Sequence, residues 1–306
     1  MRIARTRPAA QRAAIAMRLA AVALLAASLS SAQAQTAGET ESAYPAQSQP
    51  WSQAGDALRL REYAQAANWL RIASAAGDAR AEVLLGDLHA RGLGVVQDDA
   101  EALRWYRRAA RGGYAPAQVR LAVAQAHGRA VAADAVAARN ALQGLAGLGN
   151  PEAQREYALM LQQGRGGPQD PVQAAEMLRL AALQGDASAQ GLYGRLFLVG
   201  GPVDVHAGTA RVWLHSGAVQ DDPMSQYLLG CLFRDALGVE RDEVEAAWWF
   251  ERAAEQGHAE AQFSLGRLLN EGQELSRNVR QARAWLQAAA RQGLPAAKEY
   301  LAHRAP

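Results

Sequence analysis

The feature that most constrains this chain is a period of 36 residues that recurs without slipping. Ala81, Ala117, Ala153, Ala189, Ser225, Ala261 and Ala297 lie 36 apart, and only Ser225 departs from alanine. Ala102, Ala138, Ala174, Ala210, Ala246 and Ala282 form a second column with no exception. A third holds Trp105, Ala141, Met177, Trp213, Trp249 and Trp285. A fixed period of this size means stacked supersecondary units, each too small to bury its apolar face alone.

One period, Ala79 to Gly113, reads as helix, glycine-rich loop, helix and stop. Ala81, Leu85 and Leu88 have the i, i+4, i+7 spacing of an amphipathic helix. Gly86 lies beside that stripe and recurs as Gly194, Gly230 and Gly266. A glycine inside a helix costs about 1 kcal/mol against alanine, so the column predicts close approach of a neighbouring backbone. Asp98 with Glu101 has capping-box spacing, and Asp134, Asp170 and Asp242 repeat the start signal. Ala102, Trp105, Tyr106 and Ala109 form the expected buried stripe of the second helix, and Gly113 is its stop.

In these residues the sequence resembles the Sel-like repeats, relatives of the tetratricopeptide repeat. Ala81, Leu85, Gly86, Gly92, Gly94, Val95, Asp98, Ala102, Trp105, Tyr106, Ala109, Ala110 and Gly113 follow the pattern position by position. The resemblance covers residues 79–294. It implies an all-α fold, a right-handed α-solenoid of stacked antiparallel helix hairpins. It also implies a non-catalytic interaction scaffold, without cofactor or metal, whose partner is another protein. By resemblance that partner is an envelope enzyme, a secreted effector neutralised as by an immunity protein, or a sensor.

The expected organisation is a signal peptide at 1–34, a polar, disordered linker at 35–50 and a shortened, degenerate N-terminal capping repeat at 51–78. Six repeats follow (79–114, 115–150, 151–186, 187–222, 223–258, 259–294), then a capping helix at 295–306. Five arginines precede the apolar run Leu19–Leu29, and Ala32-Gln33-Ala34 has the small-x-small form of a cleavage site. Met17 is a second candidate start. Cleavage near Ala34 would export the protein to the periplasm, with no membrane span in the mature part. Of 32 basic and 30 acidic residues, the leader holds five arginines and no acid. The mature part then has 27 against 30, which demands no nucleic-acid partner. A monomer is expected. Unit 115–150 is degenerate: Ala141 and Leu142 stand for the Trp-Tyr pair, and Ala122 for the glycine. The lost volume predicts a thinner join or a bend.

No catalytic constellation stands out. The sequence holds no G-x-S-x-G, S-x-x-K or H-E-x-x-H. The six histidines share no column and no i, i+4 pair, although His206 and His215 could meet within one unit. Cys231 is the single cysteine, so no internal disulfide forms. A β-lactamase-like hydrolase, attributed to cysteine-rich members of the resembled family, is therefore a weak alternative. A peptidoglycan or glycan binder is another.

The informative residues break their columns. Trp248 stands where Arg104, Asn140, Glu176, Val212 and Ala284 stand, an outward position where tryptophan would anchor a partner. On the first helices, Tyr227, Phe263, Arg195, Arg234 and Arg267 could form one aromatic-and-arginine strip on the concave face. The bland readings remain open for both: Trp248 packs on an adjoining element, and the strip is ordinary mixed surface.

Overall fold

The computed structural model describes residues 49–272 and 277–304. The expected signal peptide and the linker as far as Ser48 lie outside the described residues. Among those described there are fifteen α-helices and no strand. The structure divides after Gly112 into two compact units.

The first unit holds α1 (Gln49–Arg59), α2 (Tyr63–Ala75), α3 (Ala79–Arg91) and α4 (Asp99–Ala110). Gln49 and Pro50, the end of the expected linker, already open α1. The helices pair as α1/α2 and α3/α4, with α2 packed on α3. Ala54, Ala67, Leu70, Ala81, Leu85 and Leu88 form the shared core. Gly94 has a φ of 66°, and any side chain there would overlap the backbone of Tyr63 and Ala64. The loop between α3 and α4 thus seats on the start of α2, which only glycine permits.

The second unit holds α5 (Ala115–His127), α6 (Ala135–Gly147), α7 (Pro151–Gln163), α8 (Pro171–Leu183), α9 (Ala187–Val199) and α10 (Ala207–Ala218). It continues through α11 (Pro223–Arg234), α12 (Glu243–Glu255), α13 (Ala259–Glu271), α14 (Val279–Arg291) and α15 (Pro295–Arg304). Successive helices pack as hairpins, and each hairpin stacks on the next. Both alanine columns are essentially sealed: Ala153, Ala189, Ser225 and Ala261 are fully buried, as are Ala174, Ala210, Ala246 and Ala282. Small residues here let the helices of successive hairpins approach closely.

Two expectations need correction. The tryptophan column is mostly half-buried, and only Trp249 is sealed. The deepest large side chains lie one residue on, at Leu142, Leu178, Leu214, Phe250 and Leu286. That next position packs inside its own hairpin, as Phe250 does against Gly230 and Leu286 against Gly266. The helical glycines are not set chiefly by a neighbouring backbone either. A Cβ on Gly230 would lie 2.7 Å from the Phe250 ring, and one on Gly266 2.8 Å from Leu286. The glycine makes room for the large residue of its own hairpin partner.

Helix starts follow the sequence. Asp134, Asp170 and Asp242 accept the backbone N–H groups of Ala137, Gln173 and Glu245. The same position in α10 is His206, whose Nδ1 accepts from Thr209 N–H at 3.0 Å. His206 therefore caps one end of α10, while His215 near the other end packs on Trp249. Nine residues of helix, about 13 Å, separate them, so they do not meet.

A glutamine ladder runs through the second unit. Gln154, Gln190, Gln226 and Gln262 each donate to a carbonyl eight residues back, at Ala146, Ala182, Ala218 and Ala254. Each then accepts from Gln184, Gln220, Gln256 or Gln292 at 2.8–2.9 Å. These amides add a second bond to carbonyls that already accept the backbone N–H three residues on, and so tie the end of one hairpin to the first helix of the next. In the first unit the column holds Glu82, buried and paired with Arg108 at 2.7 Å. Arg108 also reaches the Ser74 carbonyl, eight residues before Glu82.

Candidate functional site

In one column Arg155, Gly191 and Tyr227 each face the N-cap of the next first helix, while Phe263 packs on Tyr300 of α15. Arg155 pairs with Asp186, the cap of α9, at 2.8 Å. Gly191 has no room for a Cβ beside Asp222 and Ser225. Tyr227 stacks on His258, the cap of α13, with ring centroids 4.8 Å apart. Val83 and Val119 in the same column are buried. The column is thus a joint between repeats, and Tyr227 is half-buried, not freely presented. Burial, and after it the neighbouring Cys231 thiol, pushes the Tyr227 phenol up. Burial likewise raises the Cys231 thiol, which keeps it a poor nucleophile.

Of the six residues singled out by sequence, the structure brings some together. Arg234 and Arg267 line one cleft of about 360 Å³ with Arg241, Asp235, Glu243 and Glu271. Arg267 also borders a second cleft of about 360 Å³, with Phe263, Tyr300 and His303. Phe263 lies edge-on to Tyr300 at 5.9 Å, and the Arg267 guanidinium is 6.0 Å from the Phe263 ring. The clefts therefore meet at one side chain and run from α11 across α13 to α15.

Charge in the first cleft is balanced internally. Arg234 forms a fork with Asp235 at 2.6 and 2.7 Å, which raises its pKa. Arg267 pairs with Glu271 at 2.9 Å, and Arg241 pairs with the buried Glu243. Arg195 borders neither cleft. Of the five strip residues the clefts gather Arg234, Phe263 and Arg267, and they include neither Tyr227 nor Arg195.

Trp248 is a separate feature. It is 46% exposed, stands edge-on to Trp249 at 4.4 Å, and carries the Arg252 guanidinium 5.0 Å over its ring. Arg252 is held in turn by Asp221. None of these ring contacts involves the other five residues. An aromatic face fixed in one pose yet open to solvent has the character of an interface anchor. Val244, also exposed, lies one turn earlier on α12.

Among the described residues no group of three or more His, Cys, Asp and Glu could hold a metal ion. No described helix is long and apolar enough to cross a membrane.

Comparison with known proteins places the architecture. The family model of the Sel1 repeat matches residues 53–78, 79–114, 115–140, 151–186, 223–258 and 259–294, more than half of the sequence. A Sel1 repeat protein from Oxalobacter formigenes is 25% identical, with TM-score 0.58, covering 79% of this protein and 97% of that one. A protective antigen of uropathogenic Escherichia coli strains with an SLR fold is 29% identical, with TM-score 0.55 over 88% of this protein. The match spans 58% of that antigen's length. An immunity protein from Pseudomonas aeruginosa, at 16% identity and TM-score 0.41, is too distant to bear on function. No curated protein matches the sequence.

Proposed function

The chain belongs to the Sel1 repeat family, and on that premise we propose that it is an exported, non-catalytic scaffold that binds another protein in the cell envelope. The binding face is the pair of clefts across α11, α13 and α15, with Trp248 as a second anchor. One observation carries this reading. The two clefts share Arg267, so their aromatic and charged walls lie side by side across α11, α13 and α15, a wider surface than one small-molecule pocket. Sel1 repeats themselves suggest a protein-interaction scaffold. The Arg-rich leader ahead of an apolar run and a small-x-small site supports export. A relative that serves as a protective antigen accords with that location. The partner's class would be an envelope enzyme, a sensor, or an effector that the scaffold neutralises.

The test is in-cell crosslinking and affinity capture of the full-length protein beside Arg267→Ala and Trp248→Ala variants. A dominant protein captured by the parent and depleted at least tenfold in Arg267→Ala supports the groove. Equal recovery from both variants would sink the face, and recovery of glycan fragments alone would sink the scaffold reading.

A further inference from the structure

Asn150, Asp186, Asp222 and His258 occupy one register position, at the starts of α7, α9, α11 and α13. Each accepts the N–H three residues on, at Ala153, Ala189, Ser225 and Ala261. An amide oxygen accepts at any pH and a carboxylate ordinarily down to about pH 4, whereas an imidazole stops near pH 6.5. His258 is thus the cap in this register that mild acid removes. Its ring is also the joint between α11 and α13, through the stack on Tyr227. The corresponding joint between α7 and α9 is the Arg155–Asp186 ion pair. His206 is a second imidazole cap, but it starts α10 and lines neither cleft.

One atom of His258 has two claimants. Nδ1 accepts the Ala261 N–H at 3.3 Å and lies 3.4 Å from Glu260 Oε2. While Nδ1 accepts, the ring's proton sits on Nε2, so a second proton taken from solvent lands on the Nδ1 lone pair. The new N–H turns to the Glu260 carboxylate, and the Ala261 N–H loses its acceptor. Around the ring, α11 presents Tyr227 and, at its start, Asp222. On the side of α12, the Ala253 carbonyl takes the backbone N–H of His258 at 3.0 Å. Burial outweighs both carboxylates and keeps the ring below its ordinary 6.5, so the capped and stacked form is the neutral one. The same two helices wall the first cleft, α11 with Arg234 and α13 with Ser264, Arg267 and Leu268.

We propose that His258 and Tyr227 form an acid-released latch between α11 and α13, which fixes the width of the Arg234–Arg267 cleft while the ring is neutral and frees it on protonation. A partner fitted to the closed cleft would be released in acid. As regulation of partner binding this rests on the scaffold reading; the opening itself does not.

The experiment uses the full-length protein without a partner, followed by NMR and amide exchange from about pH 8 to about pH 5, the span in which histidine titrates. After correction for intrinsic rates, the Ala261 amide should exchange about two- to thirtyfold faster at the acid end, the equilibrium worth of one N-cap. The Leu268 methyl and Ser264 amide signals should titrate with the His258 ring. His258→Asn keeps a cap acceptor, as Asn150 is, and should flatten both responses. Glu260→Gln should move the shared midpoint to lower pH, because a carboxylate that favours the imidazolium is gone. Faster Ala261 exchange with Leu268 and Ser264 unmoved would mean a cap without a hinge and would overturn the proposal. So would a Leu268 titration that survives in His258→Asn. Neither readout involves capture at Arg267, so failure of the latch and failure of the scaffold reading are seen separately.

Discussion

Tyr227 and His258 lie 31 residues apart and stack at 4.8 Å with their planes 24° apart, while His258 Nδ1 accepts the Ala261 N–H at 3.3 Å. The imidazole is both a helix cap and one face of an aromatic joint. Its role as acceptor requires it to be neutral, since a protonated ring donates from both nitrogens.

Acid should therefore weaken the fold through this residue. Burial is the leading cause that holds His258 below its ordinary pKa of 6.5, outweighing the opposite pull of Glu260 and Asp222. The folded state then prefers the neutral ring more than the unfolded state does. Its stabilisation is whole above about pH 6.5 and is lost as the pH falls through the depressed folded pKa. Burial lowers His215 in the same direction, so part of the trend belongs to it. Urea unfolding at a series of pH values should show a midpoint that falls below about pH 6.5, with a flatter fall in His258→Asn. An identical slope in that variant would remove His258 from the account.

The glutamine ladder should behave as a coupled network. Gln226 is fully buried, bonds the Ala218 carbonyl at 3.1 Å and accepts from Gln256 at 2.8 Å. Gln226→Leu removes both bonds, although the Ala218 carbonyl keeps the Asp221 N–H at 3.1 Å and Gln256 is exposed, and should cost about 1–3 kcal/mol. Adding Gln256→Leu should cost less than its own single effect, because its donor has already lost its acceptor. Additive losses in the double-mutant cycle would show the amides to be independent.

Two helical glycines should respond in opposite directions to alanine. Gly230 has Phe250 2.7 Å from a would-be Cβ and the Ala246 carbonyl at 3.1 Å, so Gly230→Ala should destabilise by about 1–3 kcal/mol. Gly144, within α6, has nothing within 4 Å of that position, and Gly144→Ala should stabilise by about 0.5–1 kcal/mol. Thermal unfolding of both variants gives the comparison. A stabilised Gly230→Ala would mean that the hairpin can open without penalty.

Ala236 closes α11 at a φ of 57°, where Gly92 and Gly164 stand in the corresponding loops at 64° and 66°. A left-handed alanine costs on the order of 1 kcal/mol. Ala236→Gly should raise stability by up to about 1 kcal/mol, less the entropy that glycine adds to the unfolded state. A calorimetric midpoint that falls instead would show the unfolded-state contribution to be dominant.

The register is legible in sequence because each sealed position sees the same surroundings every 36 residues, and evenly repeated surroundings select the same small residue. Ala174, Ala210 and Ala246 belong to the core on their spacing alone. The glutamine ladder is equally periodic, at Gln154, Gln190, Gln226 and Gln262, yet a polar residue in a helix suggests surface rather than a buried amide. The cap His206 is hidden because a histidine fills an aspartate column, and His258 because its column already mixes Asp78, Tyr114, Asn150, Asp186 and Asp222. Arg155, Gly191 and Tyr227 look unrelated in sequence, but each answers the cap of the next helix, a pairing visible only once the hairpins are stacked.

The sequence by itself determined the all-α architecture, the period, the helix starts and the sealed alanines, because these depend on contacts within one repeat or copied identically between repeats. Only the tertiary structure decided where the surface opens. The two clefts meeting at Arg267, and the detachment of Trp248, Tyr227 and Arg195 from them, arise where neighbouring repeats differ. A gap there depends on the volume and charge of residues from separate repeats, which no single column records.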